Sequence, residues 1–414
     1  MTVGGFTTPN VRLVDVTSTA QPSELVGTVS SGAGGYAIAA LVPPGAHTLY
    51  AFTAEQTLRP ASIVADRPSN LRTAQGADLV IVAPRDFLPS LAPLVALRQS
   101  EGLSVMTVDL EDVFDEFSYG ERVPEALRAF ATTASTSWST RARFLLLVGD
   151  GSFDPRDYFH HGPSDIVPAR LIDTTYMETA SDDWYVDANG DGAPELAIGR
   201  LPVRSATEVA ALVAKLVAYD TSGTPPSGAV VVSDVGDTYD FHAASQRISG
   251  LVPAGTPVTE IRRDVLGDSA SHTAILDAIN AGPRLLTWNG HGSVTLWRGD
   301  VLTNEDAASL TNSARLPLLS SMTCLNGYFI DPTLPSLTEA LLAAPQGGVV
   351  GAWSGSGMSL PDDYEALNEE LYRQLFAGGP VTLGEAIVRA KQAGLDVQAR
   401  RTWIFLGDPS SRLR

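Results

Sequence analysis

The sequence predicts an α/β protein with two α/β subdomains of largely parallel sheet, preceded by a small β-rich piece. From Gly76 onward, short apolar runs alternate with helix-like stretches of ~10–15 residues, the pattern of strand–helix–strand units. Those apolar runs are closed by Gly and polar residues, as buried strands of a parallel sheet are. Before Gly76 the pattern differs: short strands are separated by clusters of Gly, Pro and Ser. At 414 residues the chain exceeds one ordinary core. We place the divisions at 1–75 (β-rich), 76–220 (first α/β subdomain) and 221–414 (second).

In the N-terminal piece, 11–16, 36–41 and 47–52 read as strands, separated by turns such as 30–35 and 42–45. The first α/β subdomain contains strands at 78–83, 103–108, 144–148 and 195–199. Its helices fall near 88–99, 123–133 and 206–219. The stretch 220–228, with Thr221, Ser222, Gly223, Pro225, Pro226 and Gly228, is a linker signal. Strands then follow at 229–233, 257–261, 285–288, 316–321 and 348–353. Helices are expected at 242–251, 273–280, 334–343, 362–376 and 382–392.

Composition narrows the function. A hydrophobic fraction of 44% with 18% charged residues is globular. The net charge of −19 argues against nucleic acid and anionic membranes, and is compatible with basic peptides or with simple solubility. No uninterrupted apolar run reaches ~18 residues, so no membrane insertion is expected. Met1 to Asn10 shows no leader pattern, and the chain reads as compatible with a piece of a longer secreted precursor. The single cysteine, Cys324, excludes an intrachain disulfide framework and cysteine-rich zinc sites.

Two apolar runs in the second subdomain end in reactive side chains. Residues 284–290 lead into His291, Gly292 and Ser293; residues 316–323 lead into Cys324, Leu325, Asn326 and Gly327. In open α/β sheets, chemistry gathers beyond the carboxyl ends of strands. If these strands are neighbours, His291 lies beside Cys324 as a base beside a thiol nucleophile. Backbone N–H groups at Gly292 and Cys324 would then face the oxyanion. On residue pattern alone, a buried small side chain at 324 and a turn histidine at 291 stand about even with nucleophilic catalysis.

The residues around the pair extend the pattern: His291-Gly292-Ser293, Trp297, Leu310-Thr311-Asn312, Leu316-Pro317, and Cys324 through Phe329. Together with Leu337–Leu341, Gly347–Val349 and Leu406–Ser410, this block resembles the gingipain-type cysteine peptidases of the caspase-like clan. Upstream, Gly76–Asp78, Asp109–Phe117 with Gly120, Leu147–Asp150 and Ile198–Arg200 resemble that family's first subdomain, so 76–414 are covered. The resemblance implies a caspase-like second subdomain and cysteine endopeptidase activity on protein or peptide substrates. It implies His291 as base and Cys324 as nucleophile, and secretion or cell-surface display. Thr323 stands where the clan usually has alanine. In these enzymes an acidic residue at the strand end matching Asp234 orients the histidine; a cap or solvated turn is the alternative there. Arginine-specific members carry an aspartate in the following loop at the base of the specificity pocket. Asp240 matches it best, with Asp237 also in the loop. The family's lid tryptophan has no match; Trp353 reads as core.

One further motif stands apart. Asp187, Asn189, Asp191 and Glu195 place oxygen ligands through a Gly-containing loop, the first half of an EF-hand-like calcium site closed early; an acidic hairpin turn is the alternative. Structural Ca2+ is the cofactor expected. His160 and His161 read as a solvated loop. Two other functions fit the sequence: a transpeptidase or processing enzyme with the same dyad, and a non-catalytic surface-protein module. The oligomeric state is not encoded in any pattern found.

Overall fold

A computed structural model describes the whole chain except residues 61, 62, 64 and 74. It divides into two compact units, Met1–Arg67 and Pro68–Arg414. The first unit is built from two three-stranded antiparallel sheets. Thr2–Phe6, Gly27–Gly32 and Gly35–Ala40 form one; Val11–Asp15, Ser23–Glu24 and Leu49–Thr53 form the other. Val11, Leu13, Ile38 and Ala40 are its buried core. Strands 2–6 and 27–32 escaped the sequence reading because glycines and serines interrupt their apolar pattern.

The second unit is organised around one ten-stranded sheet. Its strands in chain order are β1 (Leu79–Ala83), β2 (Val105–Asp109), β3 (Phe144–Val148), β4 (Ala197–Leu201) and β5 (Ala229–Ser233). They continue with β6 (Val258–Arg262), β7 (Leu285–Asn289), β8 (Leu318–Met322), β9 (Gly351–Gly355) and β10 (Trp403–Gly407). Across the sheet the order is β6-β5-β7-β8-β9-β10-β4-β3-β1-β2. Residues 76–220 and 221–414 thus build one continuous sheet.

Burial follows the pleat. In β1, Leu79, Ile81 and Ala83 enter one core with the helix Ala206–Thr221, whereas Val80 and Val82 enter another with helices Leu110–Ser118 and Pro124–Thr136. Strands covered on both faces carry continuous apolar runs, which is why they were legible. The short helix Leu110–Ser118 was not predicted, because its apolar positions Leu110, Val113 and Phe114 follow strand β2 without a break. Asp109 caps it, accepting the N–H of Glu111.

One junction sets the geometry. β10 runs antiparallel to β9 and parallel to β4. The strands of the two halves therefore point in opposite directions, and β5, β6, β7, β8 and β9 send their carboxyl ends to the same edge. The segment preceding β4 joins that edge: Thr179 Oγ1 donates to Ser356 O (2.7 Å) and Ser356 Oγ donates to Ala180 O (2.6 Å).

At this edge a small antiparallel sheet of Gly292–Ser293, Leu296–Trp297 and Leu302–Thr303 follows β7. Buried Trp297 stacks on buried Trp288 at a centroid distance of 4.7 Å. Asn326, fully buried, binds this sheet to the segment after β8. Its Oδ1 accepts from Trp297 Nε1 (2.8 Å) and Ser321 Oγ (2.8 Å), and its Nδ2 donates to Ser293 O (2.6 Å). Its carbonyl accepts from Thr338 Oγ1 at 2.7 Å. Replacing Asn326 by Leu strands the Trp297 and Ser321 donors in a dry site. The expected loss is about 2–4 kcal/mol of stability, measured by urea unfolding. An unchanged midpoint would mean that tryptophan stacking alone holds the small sheet.

Candidate active site

β7 and β8 are parallel neighbours, with Asn289 opposite Met322. His291 and Cys324 each lie two residues beyond that matched pair, so equal offsets bring both to the same edge. Gly290 between Asn289 and His291 is required: a Cβ there would lie 2.4 Å from Trp288 Cζ2 and 2.5 Å from Asp234 Cβ. After Cys324, Leu325 takes a left-handed φ of 64°, held by Leu325 N–H to Gly357 O (3.1 Å) and Gly327 N–H to Gly355 O (2.9 Å). The turn directs the cysteine toward the segment 355–360, where Cys324 Sγ donates to Ser359 O at 3.5 Å. Burial pushes the Cys324 thiol above its ordinary value.

The imidazole of His291 is held by Asp237, with Nε2 2.7 Å from Oδ2, and sits edge-on to the Phe241 ring at 5.1 Å. The hydrogen bond to His291 brings the Asp237 carboxyl down to about 2. An ionised carboxylate accepts only, so Nε2 carries a proton, and in the neutral imidazole the lone pair is on Nδ1. That leaves Nδ1 as the basic nitrogen.

Asp234 does not orient the imidazole, contrary to the expectation. It is buried at the end of β5, and its Oδ2 accepts the backbone N–H of His291 (3.0 Å) while Oδ1 accepts that of Val235 (2.7 Å). Arg263 Nη1 pairs with Oδ1 at 2.6 Å, and Arg298 Nε lies 2.9 Å from Oδ2 without hydrogen-bond alignment. The physical reason is directional: a side chain at the first position past the strand reaches its neighbour's backbone, and the loop beyond reaches the ring. Asp240 is exposed and caps the helix Phe241–Leu251, its Oδ1 accepting Ala243 N–H at 2.9 Å. Trp353 is core, donating from Nε1 to Trp403 O at 3.3 Å.

Sequence reasoning named Asp237 and Asn326 but gave neither a role, and it missed Arg263 and Arg298. For Asp237 the available signal was Gly236 before it, which frees the loop after β5. The arginines carried none, since their pairing is long-range.

In the acidic loop, one carboxylate oxygen from each of Asp187, Asp191 and Glu195 lies within 4.8 Å of the others. Asp187 also accepts the N–H groups of Gly190 (2.7 Å), Asp191 (3.1 Å) and Gly192 (2.9 Å). Carboxylates keep further lone pairs for a cation, so three oxygens fit one. Asn189 does not fit as placed: its oxygen accepts Asp191 N–H (2.8 Å) and its amide nitrogen faces Asp191 (3.3 Å).

A thiol and an imidazole at matched strand ends define a Cys–His site on an α/β sheet. Residues 72–414 match the profile of peptidase family C25, and the chain belongs to that family. Among curated relatives, gingipain R2 of Porphyromonas gingivalis is 22% identical over 375 residues, 84% of this chain and 48% of the relative. Gingipain R1 of the same organism is 21% identical over 365 residues, 82% of this chain and 34% of the relative. The chain thus spans half or less of the length of these two relatives. Of solved structures, the Arg-specific cysteine proteinase gingipain R superposes with a TM-score of 0.67 at 20% identity, covering 84% of this chain and 80% of that one. The complex of pro- and mature domains of Porphyromonas gingivalis RgpB gives a TM-score of 0.68 at 21% identity, covering 81% and 79%. At that identity the likeness is one of fold. Among the described residues, no helix is long and apolar enough to cross a membrane.

The two aspartates are separable by experiment. Asp234→Asn removes a buried charge facing two arginines, so a large loss of stability is expected, about 3–5 kcal/mol by denaturant unfolding. Asp237→Asn should leave the unfolding midpoint unchanged and lower turnover about tenfold or more, because an amide no longer enforces the Nε2–H tautomer. Equal turnover in Asp237→Asn and the unaltered chain would remove Asp237 from the site.

Proposed function

We propose that the chain is a cysteine endopeptidase acting through a Cys324–His291 dyad. The observation that carries this is the shared offset of the two residues from the Asn289–Met322 pair on adjacent parallel strands. His291 Nδ1 takes the Cys324 proton and the sulfur attacks the scissile carbonyl. The resulting oxyanion faces the N–H groups of Cys324 and Gly292. Leu325 N–H and Asn326 N–H are already committed, to Gly357 O (3.1 Å) and Cys324 O (2.8 Å), which favours Cys324 N–H as donor. His291 then protonates the leaving amine, and water hydrolyses the thioester. Asp237 holds the ring throughout, and Asp234 fixes the backbone beneath it.

Cleavage after arginine is the specificity we assign, supported by the acidic loop 234–240 and by the fold shared with the Arg-specific gingipain R. Asp240 is the pocket residue in this reading, binding through the carboxylate oxygen that does not cap the helix. Secretion or surface display goes with the same reading.

The deciding experiment is hydrolysis of fluorogenic peptides ending in Arg, Lys, Asp or Leu by the unaltered chain and Cys324→Ala. Arg-selective hydrolysis lost in Cys324→Ala is expected, with Asp240→Ala lowering it and leaving thiol alkylation unchanged. Hydrolysis that survives Cys324→Ala would refute the dyad. Alkylation of Cys324 by iodoacetamide checks the resting state. A thiol pushed upward by burial is protonated at neutral pH, so the rate should climb through the alkaline range instead of levelling off near pH 7.

We also propose structural Ca2+ at Asp187, Asp191 and Glu195, with Asn189 joining once its amide turns. A cation there would offset the mutual repulsion of three carboxylates and stiffen the loop ahead of β4. Calcium at about a hundred times its dissociation constant should stabilise the fold by about 2.7 kcal/mol. The shift should be read by calorimetry and be absent in the double variant Asp191→Asn, Glu195→Gln; no shift in the unaltered chain removes the site.

A further inference from the structure

Arg298 touches the loop after β5 at more points than the balance of one charge requires. Its backbone is fixed first. The Arg298 N–H donates to His291 O at 2.9 Å, and the residue before it, Trp297, is fully buried in the stack on Trp288. The side chain then reaches over the loop. Nη1 donates to Asp237 Oδ2 at 3.4 Å, Nη2 donates to Val235 O, and Nε lies 2.9 Å from Asp234 Oδ2. One guanidinium thus spans Asp234, Val235 and Asp237, while its own backbone holds the residue that carries the imidazole.

Balancing Asp234 does not account for this placement. Arg263 Nη1 already pairs with Asp234 Oδ1 at 2.6 Å, and Arg298 Nε makes no aligned hydrogen bond. The aligned donations of Arg298 go to Val235 and Asp237. Asp237 is exposed, and its Oδ1 accepts the Tyr239 N–H at 3.1 Å from within the same turn. That contact moves with the loop, whereas Arg298 is anchored outside it. Side-chain entropy favours an exposed carboxylate leaving the ring, and a partner fixed elsewhere opposes that. The contact lengths divide the work. Oδ2 is 2.7 Å from His291 Nε2 and 3.4 Å from Arg298 Nη1, so the short bond goes to the imidazole and the long one steers.

We propose that Arg298 is a positioning residue of the reaction. It clamps the loop from Val235 to Asp237 so that the Asp237 carboxylate stays against His291 Nε2, which leaves Nδ1 to take the Cys324 proton. Arg298 acts through Asp237, and no proton moves at the guanidinium. The fork matters because it reaches two acceptors at once, which the point charge of a lysine does not reproduce. The inference rests on the Cys324–His291 dyad.

The test is a double-mutant cycle of Arg298→Met and Asp237→Asn on the best-cleaved peptide, with the unfolding midpoint of each variant. Arg298→Met should lower kcat about tenfold at unchanged KM. In the Asp237→Asn background the same substitution should lower kcat by less than about twofold, because the group it positions is already lost. A merely structural loss would lower kcat by the same factor in both backgrounds. Arg298→Lys keeps a charge beside Asp234, so it should keep the unfolding midpoint and still lose kcat several-fold; it serves where Arg298→Met fails to fold. Imidazole nitrogen shifts by NMR give a readout apart from turnover: His291 should be in the Nε2–H form in the unaltered chain and a mixture of tautomers in Arg298→Met. The inference is overturned if Arg298→Met keeps kcat, if its effect multiplies with that of Asp237→Asn, or if Arg298→Lys has the full rate. If the unaltered chain neither hydrolyses peptides nor alkylates at Cys324, the dyad reading fails and this one with it. Unchanged kcat in Arg298→Met of an active chain overturns the role of Arg298 alone.

Discussion

The parallel pairing of β7 with β8 is the constraint on which the site depends. Sheet hydrogen bonds fix the register, and a slip of one residue would turn every buried side chain to the opposite face. With Asn289 held opposite Met322, the chains leave the sheet together and His291 and Cys324 leave with them. Asn326 extends this lock beyond the sheet. Its buried amide is satisfied on both its oxygen and its nitrogen, so the segments after β7 and β8 cannot separate without stranding polar groups.

Two aspartates in one loop show how burial assigns roles. Asp234 is buried at the sheet edge between Arg263 and Arg298, whose charges balance its own. It supports the backbone of His291 and has no freedom left for the ring. Asp237 is substantially exposed, and its hydrogen bond to Nε2 keeps it ionised. The fixed carboxylate builds the platform, and the accessible one sets the tautomer. Gly290 makes the Asp234 platform feasible, since a side chain at that position would collide with Asp234 and Trp288.

The antiparallel meeting of β9 and β10 has a chemical consequence. It sends the carboxyl ends of β1–β4 away from the catalytic edge and brings the segment before β4 toward it. Thr179 and Ala180 buttress Ser356, and the 355–357 backbone in turn anchors Leu325 and Gly327 beside the cysteine. The first half of the sheet thereby supports the site without contributing strand-end chemistry to it.

Much of this was legible in the sequence because the strands are covered on both faces. Runs such as 79–83, 144–148 and 229–232 are apolar throughout, and the Gly-bounded ends at Gly290 and after Cys324 marked where reactive side chains emerge. The oxygen-rich loop from Asp187 to Glu195 was visible by spacing alone. What remained hidden depended on non-local pairing. Local pattern says that 403–407 is apolar, but not that it enters the middle of the sheet and reverses its direction. It places Asp234, Asp237 and Asp240 after one strand, but not which of them meets an imidazole 54 positions away. Periodicity reports which face of an element is buried, because that is a property of neighbours along the chain. Which groups then meet is decided by register and loop path, which exist only once distant segments have packed.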